Sequence, residues 1–263
     1  MNTSEQTFRK IYKDMLDFGV NASPRGLLVK EIENYSFILP PYVRFASFES
    51  RKLNIAYIKK EFKRYLQGDR YDDSILDHAK IWSDVINEDG SINSNYGQYI
   101  FKGVNQFDRC VKYLKEDKDS RRAAMVILSR DHVLSVTADL PYTYSISFRI
   151  RENKLNMSVR MRSQDAIYGL GNDIPAFSII HEMMFHMLTG AYPKLELGYY
   201  HHCADSFHVY SRHFEMLDKI VNGDTYLEIN CPKISGEQEV GFLKNCNFTE
   251  IPESYEFTRW LLS

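Results

Sequence analysis

The stretch Arg160-Met161-Arg162-Ser163-Gln164-Asp165-Ala166-Ile167-Tyr168-Gly169-Leu170-Gly171-Asn172-Asp173 sets two arginines, two carboxylates, a serine and two glycines within fourteen residues. A strand-like run, Leu155 to Val159, precedes it, and an apolar helix, Ile174 to Leu188, follows. Helix N–H groups and the helix dipole at such a junction suit an anion, and guanidinium groups bind phosphate oxygens in a bidentate fork. The same residues also read as a surface turn with solvated charges. Further chemistry-bearing positions lie elsewhere. Glu61 stands among Lys59, Lys60 and Lys63, where a solvated helix charge is the plain reading. Arg121 and Arg122 adjoin each other ahead of a short strand, and Arg25 sits in a turn. Cys110 reads as core.

The elements that must position these groups follow from periodicity. Phe8, Ile11, Met15 and Phe18 predict a helix over Thr3 to Phe18, ended by Gly19. Asn21 to Gly26 is a loop, and Leu27 to Leu39 is rich in strand formers. Ile58, Phe62 and Leu66 place a helix over Ile55 to Leu66, with Glu61 on it. Phe101, Val104, Phe107, Val111 and Leu114 predict one helix over Gln98 to Leu114. Ala123 to Leu128 is a short buried strand. Thr143 to Ile150 alternates, with Tyr144, Ile146, Phe148 and Ile150 on one face, and pairs with Leu155 to Val159 across Glu152-Asn153-Lys154. Leu195 to Cys203 reads as a strand, and Phe207 to Val221 as a helix entered at His208 and Tyr210. The tail from Gly223 shows scattered strand patterning. One α+β domain over residues 1–263 is the economical organisation.

Composition narrows the classes. The chain has 263 residues, enough for a sizeable core, and a net charge of −2 that gives no basic footprint for nucleic acid. No run approaches the ~20 apolar residues of a membrane span. The first ten residues are polar, without the apolar core of a signal peptide. The four cysteines show no C-x-x-C spacing, so reduced thiols in a cytoplasmic protein are expected.

In order along the chain, several motifs resemble the thymidylate synthase superfamily: Lys80-Ile81-Trp82, Ile92-Asn93-Ser94-Asn95-Tyr96-Gly97, Asp119-Ser120-Arg121-Arg122, Arg162-Ser163-x-Asp165, the glycine-bearing turn ending at Asp173, and His208-Val209-Tyr210-Ser211-Arg212-His213. The branch most resembled is the deoxycytidylate 5-hydroxymethyltransferases. The resemblance implies an α+β fold in which a mixed β-sheet at a homodimer interface is flanked by helices. It implies a pyrimidine nucleoside 5′-monophosphate as ligand and 5,10-methylenetetrahydrofolate as one-carbon donor, with no metal. Arg121 and Arg122 would reach the partner's nucleotide phosphate, while Arg162, Ser163 and Arg25 would hold it from the same subunit. His208 and Tyr210 would bond the sugar hydroxyl, Glu61 would organise proton transfers, and Tyr96 would support the site. Trp82 and Asp165 would face the folate. Asp173 stands where the cytosine-using branch has aspartate and the uracil-using enzymes have asparagine, so cytosine is preferred. A protonated carboxyl donates to cytosine N3 and accepts from its amino group. The competing reading is that Asp173 caps a helix opening at Ile174.

One departure bears on mechanism. The family's cysteine nucleophile falls at Leu140-Pro141-Tyr142-Thr143, where this chain has Tyr142, and no cysteine lies between Cys110 and Cys203. A phenol, with a pKa of about 10, is a poorer nucleophile than a thiolate from a thiol near 8.5. Met161, where many synthases have glutamine, is a milder departure. Three readings stay open: an atypical hydroxymethyltransferase homologue, a non-catalytic nucleotide-binding or regulatory protein, and another reaction on a pyrimidine nucleotide, such as glycosidic cleavage with Glu61 or Asp173 as acid or base. Cys203 approaching the ring from a new direction is the remaining route, against an ordinary strand cysteine.

Overall fold

The computed structural model describes residues 3–77, 82–83 and 85–263. Lys80 and Ile81, the first two residues of the motif that ends in Trp82, lie outside the described residues. The chain opens with α1 (Thr3–Phe18), which buries Phe8, Ile11, Tyr12 and Met15 and leaves Phe18 exposed. Strands β1 (Val20–Ala22) and β2 (Val29–Leu39) follow. Helix α2 (Ile55–Gln67) begins at Asn54, whose side chain accepts from the Tyr57 N–H, and stops at Gly68 in the left-handed region.

The single helix expected over Gln98 to Leu114 is two helices, α3 (Gly97–Ile100) and α4 (Gln106–Glu116). Asn105, at φ 44°, restarts the helix by accepting from the Asp108 N–H, and Val104 of the expected apolar face is exposed. Gly97 has a steric reason: a Cβ there would collide with the Tyr65 backbone of α2, so only glycine lets Tyr96 sit against that helix. Beyond β3 (Ala124–Val126) and α5 (Arg130–Leu134), β4 (Thr143–Arg151) and β5 (Lys154–Asp165) form a hairpin. Glu152 and Asn153, at φ 52° and 58°, make its turn, as the sequence suggests. A bulge at Thr143/Ser145 breaks the expected alternation, so Thr143 is buried and Tyr144 is exposed.

Helix α6 (Tyr168–Thr189) is longer than the apolar run predicts, and β6 (Glu196–Tyr210) runs well past Cys203. His208 and Tyr210 are therefore strand residues, and the helix after them, α7 (Phe214–Val221), starts later than expected. The tail forms helices α8 (Glu237–Asn245) and α9 (Glu256–Leu262) rather than strands. They are joined by buried Glu239, which accepts from the Thr258 N–H and hydroxyl, both at 2.9 Å. Pairing explains the strand extensions. The parallel ladder between β5 and β6 continues to Asp165 opposite His208, beyond the point where either strand alternates cleanly.

The sheet order is β1-β2-β6-β5-β4-β3, parallel only between β5 and β6. One face packs against α6, most of whose side chains from Ile174 to Met184 are buried. The other carries Ser36 and Ile38 of β2, Tyr199, His201, Cys203 and Asp205 of β6, and Ser158 and Arg160 of β5, all exposed or half-buried. Among the described residues no helix is long and apolar enough to cross a membrane, and all four cysteines are free thiols.

Candidate active site

Glu61 is not a solvated helix charge; it is 4% exposed. Its Oε1 accepts from the Tyr57 hydroxyl at 3.0 Å, and that hydroxyl accepts from the Trp82 indole N–H at 3.1 Å. Its Oε2 is buried without a hydrogen-bond partner among the described residues. Burial, then the neighbouring charge of Asp173, raises Glu61 to about 8, against the pull of the Tyr57 hydrogen bond and Arg64. Asp173 rises to about 6, mainly through burial, with a Gln164 hydrogen bond opposing and Asp165 adding to the rise. Both carboxyls of the pair are therefore held toward their protonated forms.

Asp173 does not cap a helix. Helix α6 opens at Tyr168, so Asp173 lies inside it, a turn and a half from the start. Two glycines make this opening intrinsically poor helix. Arg51 secures it: Nε donates to the Ile167 carbonyl at 2.9 Å, Nη2 to Asn172 Oδ1 at 3.4 Å, and the guanidinium sits 4.6 Å from the Tyr168 ring centroid. Burial raises the hydroxyls of Tyr57, Tyr65, Tyr96 and Tyr200, and the charge of Asp173 adds to the rise of each, after that of Glu61 for Tyr57 and Tyr65. Tyr96 stacks in parallel with Phe177 of α6 at 6.4 Å.

The second half of the site centres on Tyr142. Its N–H donates to the Tyr96 hydroxyl at 3.2 Å, and its carbonyl accepts from the Arg162 N–H at 2.8 Å. The Arg162 guanidinium lies 4.3 Å from the Tyr142 ring centroid and donates to the carbonyls of Pro141 at 3.1 Å and Leu140 at 2.8 Å. Tyr142 is 42% exposed; partial desolvation of its phenol raises it above its ordinary value, Arg162 and Arg25 oppose this, and Asp139 and Tyr210 add to it. Arg25, exposed at φ 53° in the Pro24–Gly26 turn, is thus in electrostatic range of Tyr142. A phenol so raised is neutral near pH 7 and is no substitute thiolate.

On β5 and β6, Ser163 pairs with Ser206 and Asp165 with His208. Ser206 Oγ donates to Glu31 and lies 3.4 Å from His208 Nδ1, and the His208 and Tyr210 rings meet edge-on at 5.1 Å. Asp165 Oδ1 accepts from the Ile167 N–H at 2.8 Å, and its Oδ2 has no hydrogen-bond partner among the described residues. Arg121 and Arg122 are exposed ahead of β3, and neither side chain has a hydrogen-bond or ion-pair partner among the described residues. Cys203 lies on the sheet face turned away from α6, so within this chain it does not approach Asp173.

The sequence reading missed three contributors. Arg51 looks like any lysine- or arginine-bearing loop residue until its buried environment is known. Asp139 accepts from the Ser94 N–H at 2.6 Å and from its hydroxyl, tying the segment before Tyr142 to the one before Tyr96. Gln164 donates to Asp173 at 2.9 Å. By alternation the inward positions of β5 are the odd ones, Leu155 to Met161, so Gln164 falls out of phase and nothing local singles out any of the three.

Fold and site together define a class: an α+β protein in which a buried and a half-buried carboxyl, both raised, share a site with tyrosines and an arginine-backed segment. The thymidylate synthase family model matches residues 6–252. The chain is 31% identical over 211 residues to the deoxycytidylate 5-hydroxymethyltransferase of Enterobacteria phage T6, covering 77% of this chain and 83% of that protein. The phage T4 protein of the same name is 30% identical over the same shares. A deoxyuridylate hydroxymethyltransferase of Bacillus phage SP01 is 28% identical, covering 78% of this chain and 56% of that protein. The chain belongs to the thymidylate synthase family.

Proposed function

We propose that this chain is an enzyme acting on a pyrimidine nucleoside 5′-monophosphate, with cytosine preferred, as an atypical relative of the deoxycytidylate 5-hydroxymethyltransferases. The observation that carries this is the meeting of Glu61, bonded to the Tyr57 hydroxyl, with Asp173, bonded to Gln164, in a setting that raises both carboxyls, with Tyr96 linking that setting to the Tyr142 backbone. Two carboxyls with different partners in this way divide into an acid and a base. Arg162, Arg25 and Ser163 hold the phosphate, His208 and Tyr210 the sugar, and Asp173 the base edge. Arg121 and Arg122, without side-chain partners among the described residues, serve the phosphate of a second copy across the sheet face opposite α6. The enzyme is a cytoplasmic homodimer in this reading.

A reduced folate fits the residues expected to hold it. Asp165 keeps one carboxylate oxygen unbonded, and Trp82 fixes its indole through the hydroxyl that also serves Glu61. When bound, that group supplies a one-carbon unit for C5 of the ring. Glu61, through Tyr57, holds or returns the proton exchanged there. With Tyr142 in place of a thiolate, no covalent bond forms at C6 by the usual route.

A second reading draws on the same proton. A proton shared between Asp173 and cytosine N3 makes the base a better leaving group, favouring cleavage of the glycosidic bond. Water would add at C1′, the C1′–N1 bond would break, and Glu61 would manage the proton from water. Incubation with cytidylate and deoxycytidylate separates the readings. Exchange of the C5 hydrogen, or a hydroxymethylated product with methylenetetrahydrofolate, supports the first. Release of free cytosine supports the second. Tight binding with neither outcome leaves a regulatory homologue.

A further inference from the structure

A carboxyl group alone does not choose between cytosine and uracil. Protonated, it offers one donor and one acceptor, and either oxygen can carry the proton. One arrangement fits cytosine, with N3 as acceptor and the exocyclic amino group as donor. The reverse fits uracil. Some fixed neighbour must break the symmetry of Asp173.

Gln164 is 2% exposed on β5, and its Nε2 donates to Asp173 Oδ2 at 2.9 Å. The same nitrogen lies 3.5 Å from the Asp165 carbonyl, which favours this orientation of the amide. Its Oε1 is buried with no partner among the described residues, so Asp173 is its one side-chain partner there. The amide lies against Gly169, where a Cβ would come within 2.5 Å of Nε2. Asp173 Oδ1, by contrast, has no hydrogen bond among the described residues. We infer that Gln164 is a specificity-determining residue: by donating to Oδ2 it keeps that oxygen an acceptor and leaves Oδ1 to carry the proton toward the base.

The pattern presented is a donor at Oδ1, facing N3, and an acceptor at Oδ2, facing the exocyclic group. Cytosine satisfies both. Uracil would set its O4 against an oxygen already held as an acceptor. The groups facing Asp173 are Glu61, Tyr57 and Tyr65 of α2, Tyr96, Tyr200 of β6 and Asp165 of β5. Beside these groups, Gln164 donates directly to the carboxyl, and its hydrogen bond holds Asp173 lower than burial alone would set it.

This inference rests on Asp173 as the base-recognition residue, and the test separates the two. Cytidylate and uridylate affinities are measured at about pH 5.5, where Asp173 is largely protonated. Carbon-13 NMR of labelled aspartate follows Asp173 in the unliganded protein, with its signal assigned by loss in Asp173→Asn. Gln164→Met, close in volume but without the donor, should cut the cytidylate-over-uridylate preference by about tenfold, the scale of one hydrogen bond. It should also move the Asp173 titration to higher pH. Gln164→Glu, protonated and able to donate, should keep the preference at this pH and serves as the informative variant should the methionine chain not fold. A folded Gln164→Met chain with full preference and an unmoved titration would overturn the inference. Equal affinity of the wild type for both nucleotides would instead sink Asp173 as the base reader, and the NMR arm would still report whether Gln164 orients it.

Discussion

The Arg162 guanidinium and the Tyr142 ring stack at 4.3 Å, with the arginine also bonded to the two carbonyls preceding the tyrosine. A residue at the nucleophile position is thus welded to the residue expected to hold phosphate. Tyr142→Cys removes the ring from beneath the guanidinium and restores a thiol beside Tyr96. With cytidylate it should gain exchange of the C5 hydrogen with solvent, read by mass spectrometry. No exchange in a folded, nucleotide-binding Tyr142→Cys chain would mean that the acid pair and the thiol are not aligned on one ring.

Arg162→Ala should weaken nucleoside monophosphate binding by roughly 1.5–3 kcal/mol, the scale of a charge-assisted hydrogen bond. The free nucleoside should bind almost as before. Calorimetry with both ligands decides it, since equal losses would assign the arginine to holding the Leu140–Tyr142 segment alone.

The sequence carried the strands and most helices because their apolar periods are clean: Ile58, Phe62 and Leu66 place α2, and the apolar run places most of α6. It did not carry the ends. Residues 160–165 look like a loop because their pattern is polar, yet backbone pairing with β6 makes them strand. Gly169 and Gly171 read as a turn, yet Arg51, far away in the chain, stabilises helix there. Glu61 looks solvated among three lysines, because helical phase alone does not reveal that its face meets Asp173 rather than water. The resemblance supplied the site list; Gln164 and Asp139 were visible only as contacts.

Raised carboxyls link to stability with a definite sign. Folded Glu61 sits near 8, above its unfolded value, so between about 4.5 and 8 the folded state holds more protons than the unfolded one. Stability should therefore fall as pH rises through that window, by up to ~1.4 kcal/mol per unit from this group. Glu61→Gln should remove the decline above the Asp173 range, seen as a melting temperature that no longer falls between about pH 6.5 and pH 8, while the contribution of Asp173 below about pH 6 remains. An unchanged slope in the variant would place the titration elsewhere.

Among the described residues the Arg121 and Arg122 side chains have no hydrogen-bond or ion-pair partner, and the sheet face opposite α6 carries exposed and half-buried side chains. If two copies meet there and exchange these arginines, each site draws on both chains. Mixing an Arg122→Ala chain with an Arg162→Ala chain should then restore nucleotide binding to a fraction of sites. A protein that sediments as a monomer at assay concentration would remove the basis of that expectation.

Cytidylate recognition should itself depend on pH through Asp173. The complex needs one proton between Oδ1 and N3, and the free carboxyl loses its proton as pH rises through about 6. Affinity should be level below that point and fall above it, approaching tenfold per unit, because each binding event must then take up a proton. Uridylate carries its own N3 proton and should not follow the same curve. Asp173→Asn cannot titrate, so its cytidylate affinity should stay flat over the range in which the wild type declines. Calorimetry in buffers of different ionisation enthalpy counts the proton directly. A wild-type complex that forms above pH 7 without proton uptake would show that Asp173 meets the base as a plain carboxylate.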